Sequence, residues 1–211
     1  GASSLRVGNT HTVTWNADGT MGTVKLLYDN GAGTFGTTVR TGVAASALSC
    51  CTAPAWTIPD EIPGAADNKV KLECEEKFSD LVTPKCDPAE SGLFQIKGQL
   101  DLTSPDNGEV YYVGGSNIPI NYTYRGNLGT IELRYDTSGG GYPNLIASVA
   151  YNDPDGPGGN PACAEGATCT YSWPVPGTAG TQYRVKILQF SDSTVSDASI
   201  GNFVIKGNVT V

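Results

Sequence analysis

The sequence predicts an all-β fold, with two tandem immunoglobulin-like β-sandwich domains joined directly. Three observations predict it. The 211 residues include 27 Gly and 13 Pro but only 16% charged side chains, a turn-rich composition with enough apolar content for a core. Apolar and polar residues alternate at period two, and no stretch carries a helical stripe. The two halves of the chain also repeat each other.

The repeat defines the elements in order. Shifted by 107 residues, GNTHTVTWNADGTMGTVKLLYD (8–29) falls on GSNIPINYTYRGNLGTIELRYD (115–136) without a gap, so that Gly8 meets Gly115 and Gly1 meets Gly108. Val24, Leu26 and Tyr28 meet Ile131, Leu133 and Tyr135, and Asp29 meets Asp136. Each triplet presents one apolar face, which describes antiparallel strands covering a core on one side. DNGAGT and DTSGGGY follow these strands as turns, and Asp29 and Asp136 read as turn-capping residues. WTIP (56–59) then recurs as WPVP (173–176), KVKLEC (69–74) as RVKILQ (184–189), and GLFQIKG (92–98) as GNFVIKG (201–207). About seven short strands per ~100 residues is the immunoglobulin-like pattern.

Period two runs through Gly98, from Phe94 and Ile96 to Leu100 and Leu102, with no flexible linker between. The expected domains are residues 1–98 and 99–206, directly joined as a stiff unit, with 207–211 as a strand that would start a further domain. The second domain is preceded by GQLDLTSPDN (98–107), which supplies its first strand, whereas the first domain has no such stretch before it. The closing residues FVIKGNVTV copy the start of that stretch. Val204, Ile205, Val209 and Val211 are therefore candidates for a strand donated to the first domain of a neighbouring copy, polymerising the chain head-to-tail by donor-strand complementation. The rival expectation is a window of a longer tandem array, in which neighbouring repeats of one chain make the same contact.

The pattern L-x-L-T-S-P-x-x-G-E, the G-x-x-x-G-T-[VI]-x-L-x-Y-D block, W-x-[IV]-P and the closing F-x-I resemble the KRE9/KNH1-like (Ser-Thr-rich GPI-anchored-type) domain of fungal wall proteins and bacterial surface proteins. The resemblance covers nearly the whole chain twice. It implies an extracellular β-sandwich used in modular chains, with no catalytic residues to carry over. The cysteines and the long loop at 151–169 depart from that family.

Six cysteines with no CxxC pair favour disulfides over zinc, hence an oxidising, secreted or cell-surface setting. Cys163 and Cys169 are expected to pair; Cys50, Cys51, Cys74 and Cys86 leave three pairings open. The net charge of −8, divided −3 and −5 between residues 1–98 and 99–211, and the lack of a basic cluster exclude a nucleic-acid partner. No apolar run is long enough to span a membrane.

The single histidine, His11, aligns with Ile118 and is expected to be packed; without a second His no nucleophilic triad can form, so no enzyme is expected. Trp15, Trp56 and Trp173 are expected in the core rather than stacked on sugars. Asn152, Asp153 and Asp155, with Glu165, are candidate Ca²⁺ ligands, although their spacing is not that of an EF-hand and no cofactor is otherwise expected. Asn121 (NYT) and Asn208 (NVT) fit the glycosylation acceptor pattern. The expected function is an extracellular structural protein, a repeat unit of a surface filament or long surface chain. The alternative is a carbohydrate-binding or adhesive module with surface glycans as partners.

Overall fold

A computed structural model describes residues 3–46, 51–52, 55–60, 68–80, 82–138, 140–155 and 162–209. The chain divides into two compact units, Gly1–Lys97 and Gly98–Val211. Every regular element among the described residues is a strand, and the fold is immunoglobulin-like.

The first unit contains β1 (Ser3–Arg6), β2 (Thr10–His11), β3 (Thr14–Trp15), β4 (Thr20–Asp29), β5 (Thr37–Ser46), β6 (Cys51–Thr52), β7 (Trp56–Thr57), β8 (Lys69–Cys74), β9 (Ala89–Glu90) and β10 (Phe94–Lys97). One layer has the order β5-β4-β8-β9, and β1 runs parallel to β10. The opposing layer is thin: β2 pairs with β7 and β3 with β6. The alternating apolar positions of these strands meet in one core, where Leu26, Tyr28, Trp56, Ile58, Val70, Phe94 and Ile96 are buried. Burying such a side chain is worth roughly 1.5–3 kcal/mol. Asn68 is fully enclosed but satisfied, since it accepts a 2.7 Å bond from Tyr28 Oη and donates to Phe94 O at 3.2 Å.

The second unit contains β11 (Gln99–Ser104), β12 (Val110–Tyr112), β13 (Ile118–Arg125), β14 (Thr130–Asp136), β15 (Asn144–Ala150), β16 (Cys169–Trp173), β17 (Gly180–Gln189), β18 (Ser196–Ala198) and β19 (Phe203–Lys206). One sheet has the order β11-β13-β16, and the other β12-β19-β17-β14-β15 with β18 also on β17. Ile120, Tyr122, Ile131, Leu133, Val185, Ile187 and Phe203 have no exposed surface. The paired aromatics repeat too: Tyr28 lies 5.2 Å from Trp56, and Tyr135 5.0 Å from Trp173.

The repeat holds residue by residue from β2 through β4, because His11 pairs with Trp56 as Ile118 pairs with Trp173, and Tyr28 with Val70 as Tyr135 with Val185. Gly22 and Gly129 recur because both adopt left-handed φ angles, +78° and +65°, which a Cβ would strain. The gapless expectation fails at one point. Val7 N donates to Lys97 O as Val113 N donates to Lys206 O, so Gly8 corresponds to Gly114, not Gly115, and the second unit carries one extra residue before β13.

Candidate functional site

The second unit shows what covers an immunoglobulin-like sandwich at its first-strand position. There β11 lies antiparallel on β13, with Leu100 opposite Tyr124 and Leu102 opposite Tyr122. Leu100 and Leu102 point inward, 8% and 5% exposed, and Leu102 N–H donates to the Asp197 carboxylate at 2.7 Å. The chain then crosses β18 and β19. Ser199 Oγ donates to Pro105 O at 2.7 Å, Ile200 N to Asp106 Oδ1 at 2.8 Å, and Gly201 N to Asp106 O at 2.8 Å. The inward side chains of β13, namely Ile118, Ile120 and Tyr122, are fully buried.

In the first unit, no strand among the described residues occupies that position. The segment Thr10–Asp18 pairs with β6 and β7 on one side only. Its inward positions match those of β13, but His11 is exposed and Val13, Trp15 and Ala17 are half-buried. His11 therefore departs from the packed position expected of it: it takes the same strand position as Ile118 but is exposed. A groove of about 340 Å³ opens beside His11–Thr14, lined also by Trp56, Val70, Leu93 and Phe94. Trp15 Nε1 is enclosed without a hydrogen-bond partner. Its counterpart Tyr122 instead donates its hydroxyl to Tyr151 O at 2.9 Å. Ser91 stands at the groove edge where Ser199 stands in the second unit, since Ser91 N and Oγ bond Val70 as Ser199 N and Oγ bond Val185. With no covering segment, the Ser91 hydroxyl donates to Gly92 O at 2.8 Å.

No protein-family model and no curated protein matches the sequence. Similar solved structures include a marsupial T cell receptor, 10% identical with a TM-score of 0.35 over 100% of this chain and 73% of that one. Drosophila OTK extracellular domains 3–5 are 11% identical, with a TM-score of 0.27 over 98% of this chain and 63% of theirs. A complex of Dpr2 Ig1-Ig2 with DIP-Theta Ig1-Ig3 gives 9% identity and a TM-score of 0.26, over 97% of this chain and 94% of that one. No residue role passes from these proteins to this chain.

The remaining candidates fall as follows. Val204 and Ile205 do not belong to a free strand: Val204 pairs with Val110, and Ile205 is 1% exposed in the second unit's core. Their hydrogen bonds and burial are committed to β19, which corrects the donated strand to begin no earlier than Gly207. Val209 is 90% exposed, and Val211 lies outside the described residues. Cys163 and Cys169 are bonded, with Cα atoms 5.5 Å apart, and Cys74 pairs with Cys86 at 5.6 Å. Cys50 and the Cys51 side chain lie outside the described residues.

Among the described residues, no three His, Cys, Asp or Glu side chains gather as a metal site. Asn152 O accepts from Cys163 N, Asp153 Oδ1 is enclosed without a partner, and Asp155 and Glu165 are exposed. Asp29 and Asp136 cap their turns as expected: Gly31 N donates to Asp29, while Ser138 N, Gly140 N and Gly141 N donate to Asp136. Those backbone N–H groups hold the Asp136 carboxyl well below its ordinary range. Burial raises the Tyr122 phenol, with Tyr124, Asp155 and Asp153 adding to the effect. Trp56 and Trp173 are buried, Trp15 is half-buried, Asn121 accepts a bond from Thr170 Oγ1 on the outer face of β13, and Asn208 is exposed. Asp197, which holds β11 through Leu102 N–H, carries no signal in the repeat, because Ala89 occupies its place in the first unit.

Proposed function

We propose that this protein is a non-enzymatic, extracellular structural protein, the repeat unit of a surface filament or long surface chain. The observation that carries the reading is the asymmetry between two otherwise equivalent sandwiches. One has its first-strand position covered by β11, and in the other no strand among the described residues occupies that position. A sandwich left this way presents unpaired backbone groups and apolar surface, a defect that an extended neighbouring segment repairs. Two disulfides support an oxidising, extracytoplasmic location. No helix among the described residues is long and apolar enough to cross a membrane. Kinship with KRE9/KNH1-like surface repeats belongs to this same proposal.

Electron microscopy of the native material tests it. The expected image is an extended fibre or chain with a regular axial repeat, and a compact particle without periodicity refutes it. A carbohydrate-binding module is the competing reading. Its most natural stacking platforms, Trp56 and Trp173, are spent on the two cores. A glycan array with no bound sugar is the expected result.

A further inference from the structure

Residues 99–113 of the second unit run across both of its sheets, and that placement governs how the unit meets a pull along the chain. From it we infer a further function: the segment is a tension clamp, which keeps the second unit folded while the chain on either side of it is under load. The inference rests on the structural reading above, because a filament or long surface chain is what loads its repeats end to end.

The clamp has three parts. β11 lies antiparallel on β13 in one sheet, from Gln99 opposite Arg125 to Ser104 opposite Asn121. β12 lies parallel to β19 in the other, with Val110 opposite Val204, Tyr111 opposite Ile205 and Tyr112 opposite Lys206. Three further backbone bonds lengthen that ladder. Val204 N–H donates to Glu109 O, Val113 N–H to Lys206 O, and Gly108 N–H to Asn202 O, each at 2.9 Å. Between the two strands, the crossing is tied to the segment that precedes β19. Ser199 Oγ donates to Pro105 O at 2.7 Å, Ile200 N to Asp106 Oδ1 at 2.8 Å, and Gly201 N to Asp106 O at 2.8 Å. Asp106 N in turn donates to Glu109 Oε1 at 2.8 Å. A Cβ on Gly201 would fall on the Asn107 side chain, so the two segments lie directly against each other.

Strand direction decides what a pull does to these contacts. Gly98 leads into the segment and Gly207 follows β19, so tension draws the segment by its N-terminal end and β19 by its C-terminal end. In parallel strands those two ends point opposite ways. β12 and β19 must therefore slide along each other, and their evenly spaced bonds carry the load together. Strands pulled apart from one shared end would instead open bond by bond. The second unit's disulfide joins Cys163 to Cys169 and does not bridge β12 to β19, so hydrogen bonds rather than a covalent link bear the load. The first unit repeats the pairing, since β1 runs parallel to β10 from Ser3 opposite Phe94 to Arg6 opposite Lys97.

The test is constant-force extension of single molecules of the full 211-residue chain, held by handles at its two ends. The second unit should give way in one step that releases roughly 100 residues, about 350 Å at ~3.5 Å per residue. Val113→Pro removes the donor to Lys206 O and should shorten the lifetime before that step about tenfold. Asp106→Ala removes the acceptor of Ile200 N and should shorten it about threefold. Asp136→Ala, at the turn after β14, should lower the melting temperature but leave the lifetime under tension unchanged, because that turn is still intact when the clamp slips. Circular dichroism checks the folding of each variant. Asp106→Ala keeps every backbone donor of the ladder, and so carries the test even where the proline variant does not fold. Lifetimes unchanged in Asp106→Ala and Val113→Pro overturn the clamp, as does an equal shortening in Asp136→Ala. Gradual lengthening of the wild type without a distinct step overturns it too. A fibre in the native material together with any of these results keeps the structural reading and removes the clamp. A clamp that holds in a protein whose native material shows no fibre or chain does the reverse.

Discussion

Replacing Leu102 with Ala removes half of the apolar cover that β11 places over the second unit. Leu102 is 5% exposed, opposite Tyr122, with its N–H on Asp197. Truncating a buried Leu costs about 2–5 kcal/mol, and the lower half of that range applies because β11 is an edge strand that can settle inward. A loss of about 2–3 kcal/mol in a unit of roughly 100 residues lowers its transition by about 10–20 °C. Scanning calorimetry should show that drop in one transition only. Hydrogen exchange should locate it, with faster exchange in β13 and unchanged protection in β4. The substitution makes the second unit resemble the first, so the size of the loss also measures what a covering strand is worth to this fold. A shift below about 4 °C, or an equal fall in both transitions, would refute the assignment of β11 as the cover.

Cys74→Ser with Cys86→Ser opens a 12-residue separation and should cost about 3 kcal/mol by loop entropy, read as a lower urea midpoint for the first unit alone. Asn68→Ala leaves Tyr28 Oη and Phe94 O without their partner in the core and should cost about 2 kcal/mol, whereas Tyr28→Phe should cost less; chemical denaturation of both variants checks the order. The depressed Asp136 carboxyl stabilises the folded state fully above the ordinary Asp value near 3.9, and that contribution fades as pH falls below it. Melting the Asp136→Ala variant across pH 2–6 should therefore give a flatter acid limb than the wild type.

The strand faces were readable because the core strands of both halves alternate, and residues 10–29 agree with 117–136. Gly22 with Gly129 and Asp29 with Asp136 recur for local reasons of backbone conformation and turn capping, which neighbouring residues alone enforce. What could not be read depends on the partner rather than on the strand. Val204 and Ile205 continue the same alternation as Val209, and periodicity carries no information about where β19 ends and a free segment begins. The equivalence of Ser91 and Ser199 is hidden by the extra residue of the second unit between Ser199 and Phe203, and it emerges only from the shared bonds to Val70 and Val185.

His11 carries the physical lesson furthest. Aligning it with Ile118 transfers a strand position correctly, but it transfers burial only if the same segment lies on top. His11 is exposed at its strand position, whereas Ile118 is fully buried. Two strands with the same inward pattern therefore differ in burial. That difference locates the open position at Thr10–Asp18 more sharply than any single residue of the groove does.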